Sequence, residues 1–214
     1  MLGRMVSLQT VQRLPLYLRE VRMAIAAGEE YISSAQIAKD LNIDPVLTRK
    51  DLSITGVNGV PRKGFVAVDL RDAIESCLGW QTANEAVLCG VGSLGQALLG
   101  YSGFSEHNLS IVLAFDTNPA LVGKKKHGVF VHNIAFLAKH VQRLKVKIGI
   151  LTVPAEVAQQ CADELIAAGV IGIWNFTPTK LIVPDNVTVQ RVDLAASLAL
   201  LSHEIARREG NLLG

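Results

Sequence analysis

An α/β chain in two domains with a helical tail is the fold class this sequence predicts, and three observations predict it. Five β-rich apolar runs, "AVLCGV", "LSIVLAFD", "VKIGILTVP", "GIWNF" and "VTVQRV", alternate with helical patterns over residues 84–190. That alternation implies a parallel sheet with crossover helices. The first run enters a glycine-spaced turn, "GVGSLG" at 90–95, and leaves it as a helical pattern. Residues 10–78, by contrast, read as short helices plus one small hairpin. The reading divides the chain at 1–80, 81–191 and 192–214.

The chain has 214 residues, 50% of them hydrophobic, enough to bury a sizeable core. Net charge is only +2, so any nucleic-acid contact has to be local rather than driven by bulk charge. No run of 18 apolar residues suggests a membrane span. The first 20 residues lack an apolar signal core, and the expected location is the cytoplasm. Cys77, Cys89 and Cys161 are scattered along the sequence, which argues against a disulfide framework or a zinc site. The five histidines show no metal-ligand spacing, so no metal is expected.

At the front, "RLPLYLREVRMAIAAG" is an amphipathic helix with Leu14, Leu18, Val21 and Ile25 on its stripe. Pro15 either marks a start near Gln12 or lies inside the helix at roughly 3 kcal/mol. Residues 32–56 then hold two short helices. Ser33 and Gln36 form a capping-box pattern for the first, and Asp44-Pro45 supply N-cap and first turn for the second. Two helices joined by so short a turn make a helix-turn-helix. On the second helix Val46, Arg49, Lys50 and Ser53 share one face, while Pro45, Thr48 and Leu52 lie on the side that should pack. The first face suits base edges and phosphates in a major groove; a solvated charged face is the bland alternative. Ser34, at the start of the preceding helix, joins the DNA-facing set. Residues 56–68, "GVNGVPRKGFVAV", read as a β-wing whose tip carries Arg62 and Lys63.

In the second domain, Gly90-Val91-Gly92-Ser93-Leu94-Gly95 matches G-x-G-x-x-G between a strand and a helix, and Asp116 ends the next strand. That context indicates a dinucleotide site. Gly90 allows the tight turn, Gly92 lets a pyrophosphate approach backbone, and Gly95 lets the helix pack close to the strand. Asp116 can accept from both hydroxyls of a ribose and would repel a 2′-phosphate, which favours NAD over NADP. Lys124, Lys125 and Lys126 follow in what reads as a solvated loop. Thr152, Val153 and Pro154 end a later strand, and Asn175 and Pro178 lie in the turn after the next. Ligands of open α/β sheets bind at that strand edge. The tail, "DLAASLALLSHEIARRE", is capped by Asp193 and apolar around much of its girth, so it wants burial on more than one side.

No acid/base constellation is visible, and little length remains for a substrate domain. A DNA reader joined to a dinucleotide reader suggests a ligand-gated repressor. The rivals are a small NAD-dependent oxidoreductase with an accessory helical domain, and a CoA- or nucleotide-binding interaction module.

The sequence resembles the Rex family of redox-sensing transcriptional repressors. "RLPLYLR", "YISSAQIA", "RKDLS" (49–53), "GVGSLGQALLGYSGF" (90–104), "AFD" (114–116), "LTVPAEVA", "NFTPTKLIVP" and "VDLA" (192–195) carry the resemblance across nearly the whole chain. It implies a cytoplasmic homodimer with an N-terminal winged helix, a Rossmann domain and a C-terminal domain-swapped helix. Such a protein binds a double-stranded operator when NADH is scarce and releases it when NADH rises, with NAD⁺ competing. By motif, Arg49 and Lys50 correspond to the recognition pair, Gly90, Gly92 and Gly95 to the fingerprint, and Asp116 to the ribose ligand. Arg19, Tyr101 and Asp193 correspond to residues that exchange partners during the switch. Two departures stand out. The family's "YFGxxGxRGxGY" reads "ITGVNGVPRKGF" here, which shifts the wing cations, and Leu194 stands where an aromatic can occur.

Overall fold

The computed structural model describes residues 6–82 and 84–209. They fall into two compact units divided after Thr82.

The first unit opens with helix α1 (Leu8–Ala26), capped by Ser7, whose hydroxyl accepts from the Thr10 amide at 3.1 Å. The helix runs straight through the sequence position of Pro15. Leu14, Leu18 and Val21 on its inner face are buried, and their packing offsets the amide hydrogen bond that proline cannot make. Strand β1 (Tyr31–Ile32) precedes α2 (Ser34–Asp40) and α3 (Pro45–Leu52). Ser33 caps α2 through the Gln36 amide at 3.0 Å, but only half of the capping box forms. The Gln36 side chain donates to Asp40 instead, one turn on. Asp44 caps α3 through the Leu47 amide at 2.8 Å, with Pro45 in the first turn as expected.

The wing is shorter than its apolar alternation suggests. Only β2 (Phe65–Val66) is strand, and it pairs antiparallel with β1 rather than within 56–68. Ala67 already opens α4 (Ala67–Cys77). A single bridge, Val60 to Gly64, closes the tip over Pro61, Arg62 and Lys63. Gly64 is irreplaceable there, with φ +101° and a Cβ that would sit 2.5 Å from the Ile32 carbonyl oxygen. The core of this unit is Leu14, Tyr17, Leu18, Val21, Ile37, Leu52, Leu70 and Ile74.

The second unit is a seven-stranded sheet in the order β5-β6-β4-β3-β7-β8-β9. Its strands are β3 (Asn84–Cys89), β4 (Leu109–Asp116), β5 (Lys125–Lys126), β6 (Val129–Asn133), β7 (Ile148–Leu151), β8 (Gly172–Asn175) and β9 (Thr188–Arg191). All neighbours are parallel except the β5–β6 pair at one edge. Without β5, the order in which the parallel strands follow one another is 3-2-1-4-5-6, a doubly wound sheet of Rossmann type. The β5–β6 hairpin is the element the sequence pattern conceals. Two residues of the lysine run, Lys125 and Lys126, form an edge strand where the composition suggests a solvated loop, and lysines at an edge discourage pairing with another chain.

Helices α5 (Ser93–Leu99), α6 (Leu137–Leu144) and α7 (Ala155–Ala167) supply crossovers, and α8 (Leu194–Arg208) ends the chain. Along β3, Val87 and Cys89 face a core shared with α6 and α7, while Ala86 and Leu88 face the other side. A strand buried on both faces reads as a continuous apolar run, which "AVLCGV" does. Helix α8 contains no buried residue; Leu194, Leu198, Leu201 and Ile205 are all exposed. Among the described residues no helix is long and apolar enough to cross a membrane.

Candidate functional site

In the first unit, α3 presents the face the periodicity assigns. Val46, Arg49, Lys50 and Ser53 are exposed, while Thr48 and Leu52 are fully buried. Pro45 stays exposed instead of packing, because it sits at the helix start, ahead of the first inward turn. Ser34, Arg49 and Ser53 line one open groove with Arg62 and Lys63 of the wing. Arg62 takes a left-handed conformation, φ +65°, behind Pro61. Lys63 is held 4.6 Å above the Tyr31 ring, a cation–π contact that restrains its long stem.

A buried carboxylate escaped the sequence reading. Asp51, between Lys50 and Leu52 of the "RKDLS" stretch, accepts from Thr10 Oγ1 at 2.9 Å and Tyr17 Oη at 2.8 Å. It also accepts from Arg13 Nε at 2.6 Å and Arg13 Nη2 at 3.0 Å. Burial works against its charge. The hydrogen bonds from Arg13, Tyr17 and Thr10 together outweigh burial and hold its pKa below the ordinary 3.8. The signal lay in Thr10, Arg13 and Tyr17 themselves, three polar groups at i, i+3 and i+7 on the same face of the helix as Leu14 and Val21.

In the second unit, the glycine turn lies where the strand order reverses, between β3 and β7. Gly90 has φ +92°, and a Cβ there would lie 2.6 Å from the Thr152 carbonyl oxygen. A Cβ on Gly95 would overlap the Gly90 carbonyl oxygen. Gly92, by contrast, faces open space, with nothing within 4 Å of a Cβ. Gly92, Ser93 and Leu94 are exposed at the first turn of α5, while Val91 is buried. Asp116 braces the turn: its Oδ2 accepts from the Val91 amide at 2.6 Å and its Oδ1 from the Asn118 amide at 2.8 Å. Each oxygen retains acceptor capacity for a hydroxyl.

A cleft of about 310 Å³ opens beside this turn, lined by Gly90, Asp116, Ile134, Val153, Pro154 and Val157 among others. Apolar walls with one carboxylate at the strand end suit a flat heterocycle joined to a ribose, and the open Gly92 leaves room for an anion at the exposed amides. Residues Val157, Gln160, Cys161 and Glu164 of α7 also line it. Their i, i+3, i+4, i+7 spacing after "TVP" was the available signal.

Two expected ligand contacts turn inward. The Thr152 hydroxyl donates to the Gly90 carbonyl at 2.7 Å and reaches the Cys89 carbonyl at 3.1 Å, so it struts the glycine turn. Asn175, 1% exposed, accepts from the Thr177 amide and hydroxyl and donates to the Thr179 carbonyl, shaping the turn that leaves Pro178 exposed.

The three residues of the expected switch have separate partners. Arg19 pairs with Glu20 at 3.2 Å. Asp193 caps α8 through the Ala196 amide at 3.1 Å and pairs with Arg191 at 2.8 Å. Tyr101 is 60% exposed, its ring edge-on to Phe104 at 4.9 Å. Phe104, Trp174 and Phe176 continue that aromatic row.

The cysteines are not all apart in space. Cys89 and Cys161 meet between β3 and α7 as free, buried thiols. Their mutual hydrogen bond, then burial, pushes Cys89 well above the ordinary 9.0, so it stays protonated as its apolar strand implies.

His132 on β6 and His140 on α6 meet with ring centroids 4.2 Å apart and planes tilted by 42°, beside Phe115 and Phe130. Burial, then His140 and Arg143, holds His132 below the ordinary 6.5; burial, then Arg143 and Lys139, does the same for His140. A folded state that resists protonation is at full relative stability above pH 6.5. It loses ground to the unfolded chain as pH falls from there through the lower folded values. The thermal midpoint is therefore expected to drop on acidification below pH 6.5, and His140→Phe should flatten that drop in unfolding scans.

Comparison with known proteins agrees with both halves of this geometry. Residues 5–53 match the family described as "Putative DNA-binding protein N-terminus", and residues 81–179 match the family described as "CoA binding domain". The redox-sensing transcriptional repressor Rex of Treponema denticola is 46% identical over 192 residues, 90% of this chain and 91% of that protein. The Rex of Bacteroides fragilis is 42% identical over 92% of this chain and 89% of its own. Among solved structures, RSP in complex with beta-NAD+ and operator DNA superposes with a TM-score of 0.90 at 32% identity, covering 96% of this chain and 95% of that one. RSP, described as a Rex-family repressor, in complex with beta-NADH gives a TM-score of 0.84 at 32% identity, with 96% and 97% covered. Identity of this extent through both units admits one conclusion: the chain belongs to the Rex family of redox-sensing transcriptional repressors.

Proposed function

We propose that the protein is a transcriptional repressor of the cytoplasm that binds a near-palindromic operator when NADH is low and leaves it when NADH binds. The observation that carries this reading is the presence, in one chain, of an exposed recognition face on α3 and a glycine-turn cleft closed by Asp116. The oxidoreductase alternative has no support from relatives that cover nine-tenths of the chain and are named repressors. A CoA ligand is disfavoured by Asp116, whose carboxylate would repel a phosphorylated ribose.

In this reading residues 1–80 bind DNA, residues 81–191 bind NAD(H), and residues 192–214 join two protomers. The recognition set is Ser34, Val46, Arg49, Lys50 and Ser53, with Arg62 and Lys63 on phosphates. The exposed Leu194, Leu198, Leu201 and Ile205 of α8 are the apolar surface that a second copy covers. Two-fold pairing sets two recognition helices at successive major grooves. NADH releases DNA only to the extent that it prefers the state that cannot bind DNA. A neutral dihydronicotinamide favours an apolar, closed pocket, whereas the cationic ring of NAD⁺ is costlier to desolvate there. Arg19, Tyr101 and Asp193 exchange partners between the two states. Their present partners, Glu20, Phe104 and Arg191, are exposed or weakly held contacts suited to exchange.

A mobility shift on a palindromic duplex, titrated with NADH and then with NAD⁺, tests the proposal. Release by NADH, opposed by NAD⁺, supports it; a complex indifferent to both sinks it, and steady NADH consumption with a metabolite would favour the oxidoreductase. Tyr101→Phe is expected to blunt NADH-driven release while leaving NADH affinity within about twofold, since only one exposed hydroxyl is removed. Unchanged release would return Tyr101 to a packing role.

A further inference from the structure

Helix α3 is held by remarkably little apolar surface for an element that must read DNA: Leu52 is its only fully buried apolar side chain. Apolar burial is non-directional, and one leucine cannot fix the rotation of a two-turn helix about its own axis. Rotation matters here, because Val46, Arg49, Lys50 and Ser53 reach a groove together only at one setting.

The directional contacts are those of Asp51. At 100° per residue it lies about 150° around the helix from the mean direction of the outward four, almost opposite them. Its carboxylate accepts four hydrogen bonds from α1, at 2.6–3.0 Å, two of them from the Nε–Nη2 edge of Arg13. Thr48, on the other side of the buried pole, is fully buried but turns its hydroxyl back to the Asp44 carbonyl of its own helix at 3.1 Å, so it adds no directional contact to α1. Asp51 and Tyr17 are 2% and 0% exposed, so neither can touch a duplex.

Resting on the repressor reading above, we infer that Asp51 is a positioning residue for operator specificity: it locks the rotation of α3 against α1 and so sets the register of Arg49 and Lys50. Non-specific binding depends on cations meeting phosphates and tolerates a few degrees of rotation. Base readout does not. The lock therefore governs the ratio of specific to non-specific affinity rather than affinity as such.

The test uses the full chain and two duplexes of equal length, one selected by the wild-type chain from a random pool and one unrelated. Asp51→Asn keeps the shape but presents an amide donor to donors. It is expected to weaken binding to the selected duplex about tenfold and to change binding to the unrelated duplex less than about twofold. Tyr17→Phe, which keeps the ring and removes one donor from the opposite helix, is expected to lower the ratio about threefold. Amide exchange without DNA should quicken in 46–52 in both variants. Equal weakening on both duplexes, or an unchanged ratio in a folded Tyr17→Phe, overturns the inference and leaves the repressor reading intact. A wild-type chain that yields no preferred duplex overturns both.

Discussion

Replacing Arg49 with alanine is expected to weaken operator binding about 10- to 100-fold for each half-site and to leave NADH affinity unchanged. Arg49 is exposed on α3 and, among the described residues, engages no carboxylate, so its guanidinium is available as a fork for a base edge or phosphate. A bidentate contact of that kind discriminates between bases by about 1–3 kcal/mol. In a two-fold dimer the loss occurs twice. The substitution leaves the unit's own core of Leu14, Leu52, Leu70 and Ile74 in place, since Arg49 is exposed. Lys50→Ala provides the contrast. As a point charge it should weaken all duplexes more evenly and reduce the salt slope by about one. Fluorescence titration of an end-labelled duplex at several salt concentrations separates the two behaviours. If NADH affinity fell in parallel with operator affinity in Arg49→Ala, the assignment of reading and sensing to different units would be wrong.

Periodicity made the outward face of α3 legible because 3.6 residues per turn set Val46, Arg49, Lys50 and Ser53 on the side away from Thr48 and Leu52, although what fixes that setting lies in Asp51. The glycine turn was legible for a similar reason. Two of its glycines answer demands internal to the strand-turn-helix: Gly90 takes φ +92°, and Gly95 meets the Gly90 carbonyl. What escaped was set by tertiary partners. Asp51 looks like one more charge in a polar stretch, and its acceptor role appears only when α1 lies across it, 34 to 41 residues upstream. Pro15 left the start of α1 open between Gln12 and a point upstream, and the helix begins at Leu8, with the packing of Leu14 and Leu18 offsetting the local cost. Thr152 and Asn175 were placed at the correct strand ends, but short polar side chains readily turn back to their own backbone, and both do. The edge hairpin went unseen because "KKKHG" has the composition of a loop, while its pairing partner Val129–Asn133 lies just beyond.

Gly95→Ala should push the NADH response to about 10- to 100-fold higher concentration while sparing DNA binding by the cofactor-free protein. A methyl group here would overlap the Gly90 carbonyl oxygen and lie 3.0 Å from Thr152 Oγ1. The first obstacle is backbone, so no rotamer change relieves it. The second is already engaged with that same carbonyl at 2.7 Å. The only escape is for α5 to lift from β3, which displaces the exposed amides of 92–94 from the strand end where Asp116 braces the turn. Overpacking of this kind typically brings about 1–3 kcal/mol of strain. Because the strain falls on the ligand-binding turn, NADH affinity should drop about 10- to 100-fold by calorimetry. The first unit has its own core and contributes the recognition face, so the operator complex should form and then persist at NADH concentrations that release the wild type. Gly92→Ala is the control. Its Cβ meets nothing within 4 Å, so the fold and thermal midpoint should be unaffected, and any loss of NADH affinity reports the ligand's own approach to backbone. A Gly95→Ala protein that binds NADH as the wild type does would mean that the cleft beside this turn is not the dinucleotide site.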